Sequence, residues 1–488
     1  MAKKAAAAQA FTRLKKTGLV AGLLLLLAVC FFPAPQGMSP AAWHTAGIGM
    51  LLAVFWATEA LPIPVTSLLP LLLFPAFEII PMAESAAPYA RPAIFLLMGG
   101  FIIATGMARW NLHRRIALHI LLRSGDHPAG LVGGFMAATA LLSMWISNTA
   151  TTIMMIPIAL SLAGEIIHDK SKKHANGVLC LLLGIAYAAS IGGLGTIIGT
   201  PPNLFVVGFM KSNYGVEIGF LDWMMFGIPA VIVMTFAAWA VLTKWAYPFD
   251  LGDTPMARHI IQDALDDMGP LTVPEKRLAA VLLLVALSWV FRMPVQEHWG
   301  LFPWLNDAMI AVGGAVAMFL VPSGSGVKKG TALLDWETAS KIPWGVLLLF
   351  GGGLSLAAAV KSSDLAVWLG MSLSSLTSLH LVFMLLGVIS LVIFLTELTS
   401  NTATTATLLP ILGAMATAGH IDPMLLFAPT ALAASCAFML PVATAPNAVV
   451  YSTGRVTIAE MAVAGFRLNL IGIALLTPLC YVLIPLVF

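Results

Sequence analysis

The chain has 488 residues, of which 59% are apolar and only 10% charged, against roughly a quarter charged in soluble proteins; this excludes an ordinary water-facing surface. The net charge of +3 is spread along the chain rather than clustered, which excludes a nucleic-acid interface built on a basic stripe.

The first apolar run, residues 17–33, follows Lys3, Lys4, Arg13, Lys15 and Lys16 in the manner of a signal peptide. Pro33, Pro35 and Gln36 then stand where a small-x-small cleavage pattern belongs, so the run reads as a retained helix. Runs of about the 20 residues needed to cross a hydrocarbon core follow at 41–58, 62–80, 92–110, 177–210, 223–246, 277–293, 304–322, 341–360, 422–452 and 464–487. The least apolar stretch is the linker 248–276. Two further apolar stretches, 127–168 and 376–418, are each about two helices long and are interrupted by a polar tip, which predicts helical hairpins. Cys30, Cys180, Cys436 and Cys480 lie in apolar runs without paired spacing and read as small buried hydrophobes.

If both hairpins enter and leave on one side, an N-terminus inside leaves only Arg91, Lys211, Arg292 and Lys361 of the 25 basic residues outside. That asymmetry is the one expected of cytoplasmic loops. It puts the C-terminus outside and the two hairpins on opposite faces. The predicted fold is an all-α polytopic membrane protein of 11 transmembrane helices plus two re-entrant hairpins.

The halves repeat. Met98-Gly99-Gly100 matches Phe350-Gly351-Gly352 at an offset of 252, and Asn111-Leu112 matches Asp364-Leu365 at 253. Ser-Asn-Thr-Ala-Thr-Thr at 147–152 recurs unchanged at 400–405, with Pro157 and Pro410 equally spaced beyond. Thr200-Pro201-Pro202-Asn203 pairs with Thr444-Ala445-Pro446-Asn447 at 244. With the halves entering from opposite faces, this is an inverted-topology repeat, the plan of many secondary transporters.

The repeated tips suit ions. Ser147 can cap the returning helix and leave the N–H groups near Asn148 and Thr149 at the positive end of its dipole, where an anion docks. Asn148 and Asn401 each carry an amide NH2 for a carboxylate and a carbonyl oxygen for a hard cation. Sodium would take that oxygen, an oxygen of Ser147 or Ser400, and carbonyls freed where a helix unwinds. Pro201, Pro202 and Pro446 supply the unwinding, so Gly199 and Ala443 are expected as the last residues of half-helices with unpaired carbonyls. Neither tip contains Lys or Arg, so bound sodium would supply the positive charge that a dianion needs in a low-dielectric site. Glu397, three residues before the second motif, reads as a carboxylate held by structural pairing or hydrogen bonding, with proton or ion binding as the alternative. An enzyme would need converging acid, base, nucleophile or metal ligands, and apart from Glu397 the tips offer hydroxyls and amides.

The two Ser-Asn-Thr tips, Gly-Thr-Pro-Pro-Asn at 199–203 and the stretch from Phe438 through Pro441 and Thr444 to Asn447 resemble the divalent-anion:sodium symporter family along essentially the whole chain. The resemblance implies a homodimeric, elevator-type transporter in the cell inner (plasma) membrane. Its scaffold segments would be 1–125 and 277–375 and its transport segments 126–247 and 376–488. It implies one sodium site from Ser143, Ser147, Asn148 and Gly199, a second from Thr396, Ser400, Asn401 and Ala443, and substrate contacts from Asn148, Thr149, Thr200, Asn401, Thr402 and Thr444. The expected function is sodium symport of C4-dicarboxylates such as succinate, malate and fumarate. The alternatives are sodium-independent dicarboxylate exchange and carriage of sulfate or tricarboxylates. Ala445 departs from the Thr-Pro-Pro-Asn common at both breaks, and altered substrate preference is expected from it.

Overall fold

The computed structural model describes residues 2–125, 127–166, 172–249, 255–324, 331–373 and 379–488. Residue 126, the first of the expected transport segment, lies outside them, as do 250–254 of the linker, Lys170, Lys328 and Lys329, and the expected start of the second hairpin at 376–378. Among the described residues the chain is helical, with one isolated bridge between Pro322 and Ala332. Among the described residues, eight helices are long and apolar enough to cross a membrane: Arg13–Phe31, Pro40–Thr58, Met82–Arg109, Ala175–Gly195, Phe220–Ala246, Val273–Trp299, Trp344–Ser362 and Ile458–Val487.

The elements that carry the repeated motifs follow in chain order. The first hairpin is α1 (Pro128–Ser143) and α2 (Asn148–Ile166), followed by α3 (Lys172–Gly192) and, after a break, α4 (Pro201–Tyr214). In the second half α5 (Trp344–Ser362) and α6 (Leu365–Leu373) precede the hairpin α7 (Leu381–Thr396) and α8 (Asn401–Ala418). Then come α9 (Met424–Ala434), a second break and α10 (Ala445–Ser452). Asn111 and Asp364, matched in the sequence repeat, share a left-handed backbone at φ 54° and 61°. Asn and Asp tolerate this conformation best among residues with a side chain, and in both halves it turns the chain into the next short helix.

Contacts group the chain into two compact units: Met1–Ile94, Phe205–Val216 and Pro343–Ala434 form one, and Phe95–Leu204, Glu217–Ile342 and Ser435–Phe488 the other. In the first, α5 is approached closely enough that a Cβ on Gly352 would lie 2.7 Å from the Ser67 carbonyl oxygen. Small residues allow this kind of backbone contact between membrane helices. In the second, a Cβ on Gly192 would lie 2.3 Å from the Ala140 carbonyl oxygen, so α3 and the hairpin arm α1 touch backbone to backbone. The linker contains an unforeseen helix, Pro255–Asp266, with Ala257 and Ile261 buried. It is followed by a capping box of Thr272 and Glu275. Arg115 reaches this region, pairing with Glu275 at 2.8 Å and donating to the carbonyls of Gly269 and Met268.

Three expectations are corrected. The run 62–80 is not one helix but Ile63–Thr66 and Leu69–Ala76, because its prolines start new helical turns rather than continue one. Cys30 is exposed, its thiol donating to the Leu26 carbonyl at 3.3 Å; lipid-facing and protein-facing positions select the same apolar residues, so sequence does not separate them. The helices before the breaks do not run to Gly199 and Ala443. The first ends at Gly192 with a 3-10 turn Gly193–Gly195, and the second at Ala434. The prolines fix where the following helix begins, while side-chain bonds described below decide where the preceding one stops.

Candidate functional site

The tip of the first hairpin lies within one unit. Ser147 accepts the Ala150 N–H at 3.2 Å and so caps α2 as its sequence predicts. Thr151 and Thr152 turn their hydroxyls back to the carbonyls of Ser147 and Asn148 at 3.2 and 2.8 Å. Two of the repeated threonines therefore satisfy backbone, while Thr149 stays half-buried at the tip.

Asn148 is the centre of the arrangement. Its side-chain oxygen lies 2.7 Å from Ser143 Oγ, 3.2 Å from the Ala189 carbonyl and 3.3 Å from the Gly199 carbonyl, and turning the amide over would put the two protons of its NH2 within donating distance of these oxygens. Ser143 Oγ is also 2.7 Å from the Ala189 carbonyl. One hydroxyl carries one proton, so it cannot serve both oxygens. Either the amide presents NH2, or a positive charge must sit among these oxygens. The expected residues Ser143, Asn148 and Gly199 are thus brought together, and Ala189 joins them.

The second hairpin repeats the geometry in the other unit. Thr396 Oγ1 lies 2.8 Å from Asn401 Oδ1 and 2.8 Å from the Ala434 carbonyl. Thr405 donates to the Asn401 carbonyl at 2.9 Å, as Thr152 does to Asn148. Ser400 begins α8 without a side-chain cap, unlike Ser147. Thr402 is buried beside it, as is Glu397, which is 3% exposed. Ala443 and Thr444 fall in the unit of the first hairpin, so within its own unit the second set is Thr396, Ser400, Asn401 and the Ala434 carbonyl.

The breaks are held open by residues whose role sequence reasoning missed. The Asn203 amide donates to the carbonyls of Gly193, Leu194 and Thr196 at 2.9, 3.3 and 2.8 Å. The Asn447 amide donates to those of Ala437 and Leu440 at 3.1 and 3.0 Å. Each asparagine thereby replaces helical N–H donors for carbonyls that the break would leave unpaired. Thr200, 3% exposed, sits at this turn, where a Cβ on Gly193 would lie 2.9 Å from Asn148 Oδ1 and 3.1 Å from the Gly199 carbonyl oxygen. The tip and the break therefore pack against each other through a glycine. Ser190 Oγ and Asn203 Oδ1, with their repeat counterparts Ser435 Oγ and Asn447 Oδ1, are buried without a hydrogen-bond partner among the described residues. The missed signal was present in Ala-x-Ala-Ala-Ser, which stands at 186–190 and again at 431–435; it supplies Ala189, Ala434 and both unpaired serines.

The profile of the sodium:sulfate symporter transmembrane region matches residues 13–486. The sodium-dependent dicarboxylate transporter SdcS of Staphylococcus saprophyticus is 41% identical over 473 residues, covering 96% of this chain and 91% of that protein. SdcS of Staphylococcus aureus strain USA300 is 40% identical over 476 residues with the same coverage. Among solved structures, the Alcanivorax borkumensis YdaH transporter aligns with a TM-score of 0.58 over 91% of this chain and 98% of its own, at 15% identity, a likeness of fold.

Proposed function

The chain belongs to the divalent-anion:sodium symporter family, that of the sodium:sulfate symporter transmembrane region, and on that premise we propose that it is a sodium-coupled secondary active transporter of C4-dicarboxylates such as succinate, malate and fumarate. The observation that carries the proposal is the cluster of three oxygens, Ser143 Oγ and the Ala189 and Gly199 carbonyls, gathered around one end of the Asn148 amide. Hard cations are bound by oxygens of this kind, from side-chain and backbone carbonyls. With sodium bound, the Asn148 oxygen faces inward as a ligand; without it, the amide turns over and hydrogen-bonds the same oxygens. Ser147 at the same tip completes this first site. Thr396, Ser400, Asn401 and the Ala434 carbonyl form the second.

Substrate contacts are assigned to Asn148, Thr149 and Thr200 and, in the repeat, to Asn401, Thr402 and Thr444. Two sodium ions beside the substrate offset the cost of placing a dianion in a low-dielectric pocket, so substrate and sodium are taken up together. The basic-residue asymmetry supports eleven crossings with hairpins opening from opposite faces, an inverted repeat, in a plasma membrane with the N-terminus cytoplasmic and the C-terminus outside. Transport segments 126–247 and 376–488 move as elevators against scaffold segments 1–125 and 277–375 in a homodimer. The Staphylococcus relatives, named as sodium-dependent dicarboxylate transporters, support both the sodium and the dicarboxylate parts of the reading.

Uptake of labelled succinate by purified protein in liposomes tests it. An inward sodium gradient is expected to drive accumulation above equilibrium. Sodium-indifferent uptake that requires internal dicarboxylate would replace symport with exchange, and preference for sulfate or citrate over succinate would change the substrate.

A further inference from the structure

The first unit holds a cavity of about 520 Å³ away from the hairpin tip, walled by α4, α5, α6 and α8. This lies within the roughly 300–1,000 Å³ of small-molecule sites. Carbon dominates its walls, including Phe209, Val360, Val367, Met371 and Pro410. The polar wall residues are turned to backbone: Asn213 donates to the Phe209 carbonyl at 3.1 Å, while Tyr214 and Thr417 both donate to the Gly413 carbonyl, at 3.2 and 3.0 Å. Lys361 is the one charged residue among the described residues of the lining and is exposed. Among the described residues its ammonium has no carboxylate within ion-pair distance.

An apolar chamber with one free cation does not suit a C4-dicarboxylate, which needs two carboxylates satisfied over a short span. It suits an amphiphile with a single anionic head. We propose that the cavity binds a long-chain fatty acid anion, its chain against the walls of α4, α6 and α8 and its carboxylate at Lys361. Val367 and Met371, 59% and 61% exposed, leave part of α6 open for entry. A consequence that rests on the transport reading above is inhibition. The walls come from segments assigned there to the transport part (α4, α8) and to the scaffold part (α5, α6), so an occupant would tie them together and slow the carrier.

The test is photolabelling of purified protein in zwitterionic nanodiscs with a diazirine-bearing palmitate, mapped by mass spectrometry. Labels are expected on α5, α6 and α8 around the cavity, displaced by excess palmitate, several-fold less readily by its methyl ester, and not by phosphatidylglycerol. Lys361→Gln, at an exposed position, should weaken labelling roughly two- to fivefold, the scale of one accessible ion pair. Ala366→Trp, which fills the half-buried lining, should abolish it. Labelling elsewhere, equal displacement by the ester, or an unchanged Lys361→Gln protein overturns the assignment, and displacement by phosphatidylglycerol gives the cavity to a bilayer lipid instead. Succinate flux with and without palmitate is read separately. Labelling without inhibition would remove the consequence and keep the site, whereas absence of any flux would bear on the transport reading alone.

Discussion

The amide of Asn203 reaches back ten residues to the Gly193 carbonyl at 2.9 Å, so one side chain keeps a stretch of buried backbone from being left without donors. Asn447 does the same at the second break through Ala437. Unwound backbone in a membrane protein survives where its polar groups are satisfied or line a site, and here the motif that breaks the helix also supplies the donor.

Asn203→Ala and Asn447→Ala should each lower stability by about 1–3 kcal/mol, the cost of leaving buried carbonyls unpaired. Thermal unfolding in detergent measures this, and the stabilisation conferred by added sodium should shrink in the same variants. Asn203→Asp should be worse than Asn203→Ala, since a carboxylate would face three carbonyls. If alanine at either position leaves both melting point and sodium response at parental values, the asparagines do not hold the breaks.

Ser143 and Thr396 occupy equivalent positions with different side chains, 2.7 and 2.8 Å from their asparagine oxygens. Exchange to Ser143→Thr or Thr396→Ser keeps the hydroxyl and should leave sodium dependence near parental. Ser143→Ala and Thr396→Val should raise the half-saturating sodium concentration roughly 5- to 100-fold, corresponding to about 1–3 kcal/mol. Flux titrated against sodium at fixed succinate reads this directly. Equal effects of the conservative and the apolar replacements would argue for packing instead of ligation.

Asn148→Ala and Asn401→Ala should weaken sodium and succinate together, because each amide is assigned to both. Asn148→Asp separates the two roles: a carboxylate among oxygens should tighten cation binding and repel the dianion. Sodium affinity and succinate affinity moving in opposite directions in that variant is the expected outcome, measured by binding of each to purified protein. Joint loss of both in the aspartate variant would contradict shared ligation.

Ala445 opens α10 directly after Thr444, whose backbone is extended at φ −149° and ψ 148°. Proline is tolerated at the first helical position and favours an extended residue before it, so Ala445→Pro should fold normally. It removes one N–H beside the proposed substrate site, and a changed ranking among succinate, malate, citrate and sulfate is expected. Superimposable uptake profiles for parent and variant would dismiss Ala445 as a specificity position.

His113 lies on the short helix Leu112–Leu121, buried, with Nδ1 3.1 Å from the Met107 carbonyl. Burial, with a contribution from the Arg114 charge, holds its pKa below the ordinary 6.5 despite that carbonyl. The folded protein therefore binds fewer protons here than the unfolded chain as pH falls below 6.5, and stability should decline through that interval. His113→Gln should show a shallower loss of melting temperature between neutral and mildly acidic pH than the parent; parallel curves would assign the loss to other groups.

The sequence by itself determined the membrane class, the two hairpins, the paired tips and the residues at them, because apolar length, proline and repetition of a polar hexapeptide act locally and leave a direct trace. The doubled motif also marked Asn203 and Asn447, although nothing in a linear pattern says which carbonyls an amide will meet. Only the tertiary structure decided that the helices stop at Gly192 and Ala434, that Ala189 and Ala434 offer their carbonyls to Ser143 and Thr396, and that Arg115 reaches Glu275 across the linker. Those contacts join residues tens to more than a hundred positions apart, and backbone carbonyls are common to every residue type. Their chemistry becomes specific only when packing, here through Gly192 and Gly193, brings them within bonding distance.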